Sequence, residues 1–533
     1  MINLRSMCLF VVIALVCSIP PEDPVKCSLE NQNCTVTNSI VIYPSTEEEL
    51  VDVVAKASLE NKKMKVVTKC SYSHTKLVCP DSKDGLLIST RYLNRIIEVN
   101  ALSRTMTVES GVTIRELIDQ AAKAGLALPS TPYWWGLTLG GVLGTGAHGS
   151  TLFGNGSAVH DYVVGLRLVI PAGPDEGYSK VIVLDNSHPD MDAAKLSLGV
   201  LGVISQVTLE LQLLFKRSVR ISVEDDLDLA ERVTYFGQQH EFADITWYPG
   251  QREAVYKIDD RVSDDVSDDD RVSSRSFISF RSDKVNKDTQ QMDLHLLGTL
   301  LLATITIYNL LDLVLIAITT GKSRHALGIP ESMVNFFHIT TFSIGFSNVK
   351  NFIKDVKKFR DLEPSVFCGV DLYNGILMRY VKASSAYLGK EEDGVDFDMT
   401  YYRSKNPLVP KLHEDILEEL EQLAFFNYGG LPHWSKNRHI AFNGVIKKYS
   451  RGKKFLEVKE KYDPMGLFSS EWTNQVLEVE GDVNIMRDGC ALEGLCICSE
   501  DRHCAPDRGY GCRPGRLYED ARVCICTKIN LHG

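Results

Sequence analysis

Positive charge and zinc-type cysteine pairs are both scarce in this sequence. Its 58 lysines and arginines are outnumbered by 69 aspartates and glutamates, which gives a formal net charge of −11 and a pI near 5.7. Because nucleic-acid-binding proteins carry a basic surface, this balance argues against a nucleic-acid partner. The Cys-x-x-Cys spacing of common zinc modules is absent. An aspartate-rich stretch, Asp259–Ser273, is interpreted as a solvated loop, and we predict no metal site.

Long apolar runs are also few, and the first one lies at the N-terminus. Arg5 precedes the apolar stretch Cys8–Val16, which is the pattern of a secretory signal peptide covering residues 1–18. Asn33 and Asn155 begin glycosylation sequons, the second beside a glycine-rich loop where a glycan is harder to accommodate. We therefore predict a secreted glycoprotein that reaches the extracellular space, the cell wall or the vacuole.

The second apolar run, Leu296–Ile318, is long enough to span a membrane. Asn309 and Asp312 lie inside it, and both side chains are costly to place in lipid. The expectation is a buried helical segment, with membrane association as the alternative.

The 14 cysteines suit a disulfide-bonded secreted protein. Two would leave with the signal peptide, so twelve remain, an even number. Seven of them fall in the tail, residues 480–533, which predicts a small disulfide-stapled module. Since seven is odd, one tail cysteine is expected to pair outside the tail, with Cys368 as a candidate. Two further pairs are close in sequence: Cys27 with Cys34, and Cys70 with Cys79.

The stretch Pro132–Gly149 carries five glycines, at positions 140, 141, 144, 146 and 149. Glycine lets the backbone approach a ligand closely, and bare N–H groups in such a loop bind phosphate. The glycines from 144 to 149 match the dinucleotide fingerprint, but that motif requires a helix opening through it. Residues 150–157 are typical of a loop instead, so we reject a nicotinamide-type Rossmann site.

The remaining chain alternates helical and strand patterns. Capping boxes at Ser45–Glu48 and Thr113–Glu116 precede apolar residues at helical spacing. Strand-like segments recur up to about residue 215, and Trp247–Tyr256 begins a second strand-containing region. These patterns predict a mixed α+β protein.

Several motifs together resemble one family: Val66–Ser73, Thr138–Gly149, Gly199–Ile204, Tyr401–Arg403 and Pro432–Lys436. Their arrangement is similar to the vanillyl-alcohol-oxidase-type FAD oxidoreductases, and most similar to the plant L-gulonolactone oxidases in the sugar-1,4-lactone oxidase branch. The resemblance implies a two-lobed FAD-binding domain of the PCMH type over 36–215. It also implies an α+β substrate cap over 216–475, followed by the Cys-rich tail.

The resemblance also implies an activity. FAD would oxidise L-gulono-1,4-lactone or a related aldono-1,4-lactone with O2 as acceptor, giving an L-ascorbate-type product and H2O2. The partners are then a small aldonolactone and O2, and the oligomeric state is left open. A flavin oxidase of another sugar or alcohol is the alternative within enzymes. A catalytically retired, secreted Cys-rich binding protein is the alternative from another class.

By the same resemblance, cofactor contacts are expected at Ser71, Tyr72, Ser73, Gly140, Gly141, Gly144, Thr145, Gly146, His148, Gly149, Gly202, Val203, Ile204, Trp434 and Lys436. A lysine such as Lys436 would stabilise negative charge on the reduced flavin. Arg379 and His433 are the other catalytic candidates. The general base is left unidentified, with His433 and Tyr402 as candidates.

The sequence departs from the family pattern at two positions. Tyr72 stands where many relatives have the histidine that carries FAD covalently, so we predict noncovalent FAD. Leu377 stands where many sugar-lactone oxidases have the glutamate of Glu-x-Arg, while Arg379 keeps the arginine.

Overall fold

The computed structural model describes residues 40–68, 75–82, 84–266, 337–367, 370, 375–402, 408–410 and 413–527. All of them belong to one of two units of the chain, Leu29–Gln290 with Asn335–Gly533. The signal peptide, Ser71–Ser73, Leu296–Ile318 and Cys368 lie outside the described residues. Among the helices that are described, none has the length and apolar character needed to cross a membrane.

The structure combines strands and helices in a mixed order. The strands are β1 Ile40–Ile42, β2 Met64–Val67, β3 Leu86–Ser89, β4 Ile96–Asn100, β5 Thr105–Glu109, β6 Leu126–Ala127, β7 Val163–Pro171, β8 Ser179–Asp185, β9 Val203–Glu210, β10 Gln212–Leu213, β11 Lys216–Asp225, β12 Asp244–Tyr248, β13 Glu253–Val262, β14 Phe337–Gly345, β15 Ile376–Val381, β16 Gly394–Tyr402, β17 Leu431–Pro432, β18 Tyr510–Pro514 and β19 Arg522–Cys526. The α-helices are α1 Glu47–Leu59, α2 Thr75–Val78, α3 Ile114–Lys123, α4 Leu139–Thr145, α5 Met191–Ala194, α6 Leu229–Gln239, α7 Phe346–Leu362, α8 Glu414–Gln422, α9 Gly452–Tyr462 and α10 Glu471–Val476. The α+β prediction is confirmed.

Among the described residues, two sheets of three or more strands and the short pair β10-β6 form the N-terminal part of the fold. A parallel sheet in the order β1-β3-β2 packs against α1, and an antiparallel sheet has the order β4-β5-β9-β7-β8. The capping box of α3 forms as predicted, between Thr113 and Glu116. At α1 the cap lies one residue later than predicted, because the Thr46 hydroxyl accepts the Glu49 N–H.

A seven-stranded antiparallel sheet in the order β11-β13-β12-β15-β16-β14-β17 forms the second part. Helix α7 packs on it through aromatic side chains, with Phe352 edge-on to Phe342 and Phe397. Between β15 and β16 the register pairs Leu377 with Asp398, and Arg379 with Asp396. Directly paired residues share a face of the sheet, so these four side chains start from the same side.

Backbone contacts join the glycine-rich stretch to this sheet. The Thr151 N–H donates to the Tyr380 carbonyl at 3.0 Å, and the Tyr380 N–H donates to Ser150 Oγ at 2.9 Å. Ser150 in turn donates to the Ala243 carbonyl on the segment that leads into β12. These bonds fix the distance between the glycines and strand β15.

The tail folds around its own small core of cysteines and leucines. It contains the disulfides Cys490–Cys496, Cys498–Cys512 and Cys504–Cys524, which confirms the disulfide-stapled module. Cys526 forms no disulfide with the described residues, consistent with an odd tail cysteine. Cys79 is disulfide-bonded as well, and its expected partner, Cys70, lies outside the described residues.

Candidate active site

A cavity of about 740 Å³ lies between helix α4, strands β15 and β16, and the segment that follows β17. Its predicted lining residues are Gly140, Gly141, Gly144, Thr145, His148, Gly202, Ile204, Arg379, His433 and Lys436. Residues predicted from distant parts of the sequence therefore meet around one space. One end is lined by glycine backbone and hydroxyl groups, and the other by charged side chains.

The glycine end is built on helix α4. Leu139, Val142 and Leu143 are buried beneath it, so the glycines between them form the side toward the cavity. A Cβ at Gly144 would meet no protein atom within 4 Å, because it would project into the cavity. The helix ends at Gly146, whose φ of 67° is the left-handed conformation of a helix C-cap.

Hydroxyl and amino groups line the same end. Thr68 Oγ1 lies 2.9 Å from Thr138 Oγ1 and 3.0 Å from Thr90 Oγ1, forming a row of hydroxyls. Ser110 Oγ and Lys65 Nζ are buried at the lining and contact no described hydrogen-bond partner. Burial lowers the pKa of Lys65 to about 7.

These groups fit FAD. The glycine side of α4 leaves room for the phosphates and ribose hydroxyls of FAD, because a Cβ at Gly144 would fill that space. The threonine hydroxyls beside it are able to hydrogen-bond the same polar atoms. Thr68, Thr138, Gly140, Gly141 and Gly144 are thus the described residues that would hold the cofactor.

The charged end contains a triad of Arg379, Asp398 and Lys436. Lys436 Nζ donates to Asp398 Oδ2 at 2.5 Å, and Arg379 Nη2 approaches the same oxygen at 3.3 Å. Asp398 is the only carboxylate among the described residues that line the cavity. Two cations therefore share one carboxylate, which leaves net positive charge at this end.

The triad shifts the pKa values of its members. Burial alone would raise the pKa of Asp398, but the charges of Lys436 and Arg379 outweigh burial and hold this pKa below its ordinary value. Burial lowers the pKa of Lys436, and the Asp398 charge offsets only part of that effect. Asp398 is therefore ionised at neutral pH, and Lys436 releases its proton more readily than an exposed lysine.

Strand register brings the triad together. Leu377 and Arg379 are two residues apart on β15, and Asp396 and Asp398 are two apart on β16, so each pair shares a face. Asp398 lies directly opposite Leu377, the position where the family resemblance led us to expect a glutamate. A carboxylate is therefore present on the neighbouring strand, next to the position where one was expected.

His148 lies beside the triad and is held by protein groups. Its Nε2 lies 2.8 Å from Asp396 Oδ2 and its Nδ1 lies 2.9 Å from the Gly149 carbonyl oxygen. Its own carbonyl accepts a hydrogen bond from Arg379. Both ring nitrogens contact protein groups, so the ring stabilises this turn and connects the glycine stretch to β16. His148 also lines the cavity, and its contact with cofactor phosphate stays a prediction.

His433 is buried in the lining, and its protonation is set by its neighbours. Burial lowers the pKa of His433 well below its ordinary value, and the charge of Lys436 adds to this effect. The Ser435 N–H donates to His433 Nδ1 at 3.3 Å, which favours the tautomer with a proton on Nε2. A neutral imidazole of that tautomer presents a donor at Nε2, which argues against His433 as the base.

Four predicted cofactor residues lie away from this cavity. Trp434 is 5% exposed, stacks on Phe442 and Tyr449, and donates its indole N–H to the Leu388 carbonyl, so it is a core residue. The other three face elsewhere: Val203 is in the core around α1, a Cβ at Gly146 would meet Leu196, and one at Gly149 would meet Ser130.

Asp398 and Tyr133 line the cavity but were not predicted to do so. The signal for Asp398 was available: Asp396 and Asp398 alternate with apolar residues in a strand pattern, which places two acids on one face. Tyr133 donates its hydroxyl to Asp244 at 2.5 Å, and its ring lies 5.9 Å from the Arg379 guanidinium. No local pattern around Tyr133 indicates that contact. The Tyr402 side chain is not described.

Family models match most of the chain. An FAD binding domain matches residues 38–174, D-arabinono-1,4-lactone oxidase matches 207–476, and the C-terminal domain of L-gulonolactone oxidase 2-like proteins matches 487–526. The glycine end of the cavity falls largely in the first match, and the charged triad falls in the second.

Relatives from Arabidopsis thaliana align along nearly the whole chain. Probable L-gulonolactone oxidase 6 is 50% identical over 97% of this chain and 94% of its own length. L-gulonolactone oxidase 5 is 48% identical over 97% of this chain and 96% of its own length. Both comparisons include the Cys-rich tail.

Solved structures share the fold. Cholesterol oxidase from Brevibacterium sterolicum superposes with a TM-score of 0.58 at 15% identity, covering 82% of this chain and 94% of that one. A solvent-stable cholesterol oxidase gives a TM-score of 0.60 at 16% identity, covering 83% and 95%. Together with the cavity geometry, these matches lead to one assignment. The chain belongs to the L-gulonolactone oxidase family of FAD-dependent oxidoreductases.

Proposed function

We propose that this protein oxidises a secondary hydroxyl group of an aldono-1,4-lactone, with L-gulono-1,4-lactone as the substrate and O2 as the electron acceptor. The observation that carries this proposal is the triad of Arg379, Asp398 and Lys436, which lies in the same cavity as the glycine side of α4. The names of the Arabidopsis relatives support the choice of lactone. The products are an L-ascorbate-type lactone and H2O2.

The triad provides charge for a neutral, hydroxyl-rich substrate. Bound FAD would supply the redox chemistry, as the acceptor of a hydride from the substrate carbon and the source of electrons for O2. Arg379 presents guanidinium N–H groups that orient lactone oxygens, and it is 5% exposed, so its position is fixed by the surrounding protein. Lys436 adds a positive charge that favours the negative charge developing in the cavity during the reaction.

Asp398 is the group we assign as proton acceptor. A hydroxyl that loses hydride from its carbon must also release its proton, and Asp398 is the carboxylate that the described lining offers to accept it. Its lowered pKa makes it a weak base, so proton uptake must accompany hydride loss and cannot precede it. His433 is a poorer candidate because its favoured tautomer already carries a proton on Nε2. Lys436 is protonated when it donates to Asp398, so it stabilises charge and does not accept the proton.

We also propose that the FAD is noncovalent, since Tyr72 replaces the histidine of the covalent family members. The sequence supports secretion through a signal peptide over 1–18 and glycosylation at Asn33. It also supports three parts of the mature chain: an FAD-binding domain over 36–215, a substrate cap over 216–475 and the Cys-rich tail over 480–533. Asn155 is exposed, which leaves its side chain accessible to a glycan. An extracellular, cell-wall or vacuolar site of L-ascorbate synthesis follows from these expectations.

A substrate panel with the full-length protein tests the activity. Aldono-1,4-lactones and the corresponding simple sugars are supplied under air, and H2O2 formation is followed together with O2 consumption. We expect turnover with L-gulono-1,4-lactone and none with the simple sugars. Asp398→Asn should abolish turnover while FAD stays bound. Asp507→Asn, at an exposed aspartate of the tail, is the matched control and should not change it. Peroxide formation only with a non-lactone sugar would contradict the proposal.

Acid treatment tests the flavin linkage in the same preparation. Noncovalent FAD should appear in the supernatant after the protein is precipitated. Flavin fluorescence that migrates with the polypeptide on a denaturing gel would contradict this part of the proposal and leave the activity unaffected.

A further inference from the structure

Arg438 lies two residues after Lys436 and is 7% exposed. Its Nη1 donates to Glu418 Oε1 at 2.6 Å, and its Nη2 contacts the Glu421 carboxylate. Both acids belong to helix α8 and are themselves buried. A buried charge requires its partners, so the position of Arg438 is fixed by α8.

The residue between them ties the same segment to the sheet. Asn437 Oδ1 accepts the Thr341 N–H at 2.9 Å, and Asn437 Nδ2 donates to the carbonyls of Thr341 and His433, each at 2.9 Å. The segment from His433 to Arg438 is therefore held at two points, β14 and α8. Lys436 lies between those two points and its side chain enters the cavity.

Helix α8 is in turn held by the Cys-rich tail. Glu419 is fully buried, and its carboxylate accepts the backbone N–H groups of Arg516, Leu517 and Tyr518 at 2.6 to 2.7 Å. A Cβ at Gly515 would lie 2.6 Å from the Glu419 carboxyl carbon, so only glycine permits this approach.

A second set of hydrogen bonds joins the tail to the C-terminal end of helix α8. Gln422 Nε2 donates to the Arg522 carbonyl at 2.8 Å, and its Oε1 accepts the Arg522 N–H at 3.0 Å. Arg522 lies on β19, beside the disulfide-bonded Cys524. The tail therefore packs on α8 through backbone groups that its own disulfides hold in place.

The tail also touches Arg438 directly. Gly494 has a φ of 68°, and a Cβ there would lie 2.3 Å from Arg438 Cδ and 2.7 Å from its Nη1. Arg438 has no room to move away, because its guanidinium is held by two acids of α8. A single added methyl group at position 494 would therefore press on the segment that carries Lys436.

We propose that the Cys-rich tail positions Lys436 for catalysis, and that Arg438 is the positioning residue through which it acts. This inference rests on the proposed function, because it requires Lys436 to act on the bound flavin. No described residue of the tail lines the cavity or takes part in the ion pairs of the triad. Its effect on the reaction passes through Arg438 and α8.

The test compares Gly494→Ala with Gly177→Ala. Both glycines are left-handed, with φ of 68° and 71°, but a Cβ at Gly177 meets nothing within 4 Å, so the control carries the same backbone strain without the contact. Each change is made in the wild-type protein and in Lys436→Ala. Two quantities are measured: the reduction potential of bound FAD without any lactone, and the anaerobic rate of flavin bleaching by L-gulono-1,4-lactone.

We expect Gly494→Ala to keep its FAD, lower the potential in the same direction as Lys436→Ala, and slow bleaching about tenfold or more, as a misplaced catalytic group does. In the Lys436→Ala background, Gly494→Ala should leave the potential unchanged and slow bleaching by less than about twofold, because the two changes act on one interaction. Gly177→Ala should match its parent in both backgrounds.

Three outcomes would overturn the proposal: a wild-type potential and rate in Gly494→Ala, an equal effect of Gly494→Ala in both backgrounds, or an unchanged potential in Lys436→Ala. If Gly494→Ala fails to fold, Arg438→Lys enters the same cycle, since lysine keeps the charge but cannot reach both acids of α8. Failure of the proposed function would differ from all of these, because the lactone would not bleach even the wild-type flavin while the potentials still report on the tail.

Discussion

The two ends of the cavity are built in different ways. The glycine end comes from one continuous stretch, Pro132–Gly149, with hydroxyls added by neighbouring strands. The charged end comes from three separate segments, β15, β16 and residues 433–438, which meet only through the seven-stranded sheet. Backbone without side chains suits a cofactor that must come close, while long charged side chains suit a small polar substrate.

This difference explains why the two ends tolerate change differently. The glycine end depends on the absence of side chains on the glycines of α4, so a larger residue there removes space for the cofactor. The charged end depends on the distances within the triad, so a change that keeps volume but alters charge is enough to disrupt it. The following predictions separate these two kinds of dependence.

The largest effect is expected at Asp398. Asp398→Asn keeps the volume but removes the proton acceptor, and loss of a general base typically costs about 10²–10⁴-fold in rate. FAD content should stay near its wild-type value, while the melting temperature should fall because two cations lose their shared carboxylate. Anaerobic stopped-flow with L-gulono-1,4-lactone, at a temperature where both proteins are folded, measures the rate of flavin reduction. A rate within twofold of wild type would exclude Asp398 from the reaction.

The next effect concerns the glycine end. Gly144→Val should weaken FAD binding, because the valine side chain would fill the space left for the cofactor. Overpacking costs about 1–3 kcal/mol, which corresponds to a loss of FAD affinity of about ten- to a hundredfold. Gly146→Val should instead destabilise the apoprotein, since φ is 67° and a Cβ would meet Leu196 at 2.7 Å. Equilibrium FAD titration and thermal unfolding of the apoprotein distinguish the two. Equal FAD affinity in Gly144→Val and wild type would show that the cofactor lies elsewhere.

A smaller effect is expected in the pH dependence. The active form has Lys436 protonated, and its pKa lies below the ordinary 10.5, so kcat/KM should fall as pH rises through that lowered pKa. Asp398 and His433 have pKa values below their ordinary ranges, so no acid limb is expected between about pH 5 and 8. Lys436→Arg should lack the alkaline limb because arginine stays charged. An identical limb in Lys436→Arg would assign it to another group.

The smallest effect is a rescue that tests the strand register. Because Leu377 lies opposite Asp398, a glutamate at 377 starts about 5 Å away and points to the same face. Leu377→Glu added to Asp398→Asn should therefore recover activity about tenfold, a small part of the loss expected from removing the base. Leu377→Glu in a Glu224→Gln background is the control, because Glu224 lies on β11 outside the cavity and pairs there with Arg232 of α6 at a part-buried position. Absence of any recovery would argue that the register between β15 and β16 does not define the site.

The sequence predicted the glycine end better than the charged end, and the physical reason is locality. Five glycines in one stretch reveal a close backbone approach without any knowledge of the fold. Arg379, His433 and Lys436 were recognised through family motifs, but Asp398 depends on the pairing of two strands about twenty residues apart. A motif shows which residues are unusual, and only the register shows which of them meet.

Trp434 and the Cys-rich tail are two further features whose contacts could not be read from sequence motifs. Trp434 belongs to the motif that contains Lys436, but the chain turns there, with the Lys436 N–H bonded to the His433 carbonyl. The indole enters the core while Lys436 lines the cavity. The tail was predicted as a separate module from its cysteine count. Its contact with α8 depends on Glu419 and Gly515, and neither residue stands out in the sequence.

Lys436 provides positive charge at the reacting end of the cavity, and the anaerobic rate of flavin reduction shows whether this charge matters to the reaction. Flavin bleaching by L-gulono-1,4-lactone is compared in wild type, Lys436→Ala, Lys436→Arg and Lys447→Ala, the last at a lysine whose side chain is 75% exposed. We expect Lys436→Ala to bind FAD, with flavin bleaching about 10²–10³-fold slower than in wild type. The bleaching rate should recover partly in Lys436→Arg and stay unchanged in Lys447→Ala. Equal bleaching rates in wild type and Lys436→Ala would contradict this role of Lys436.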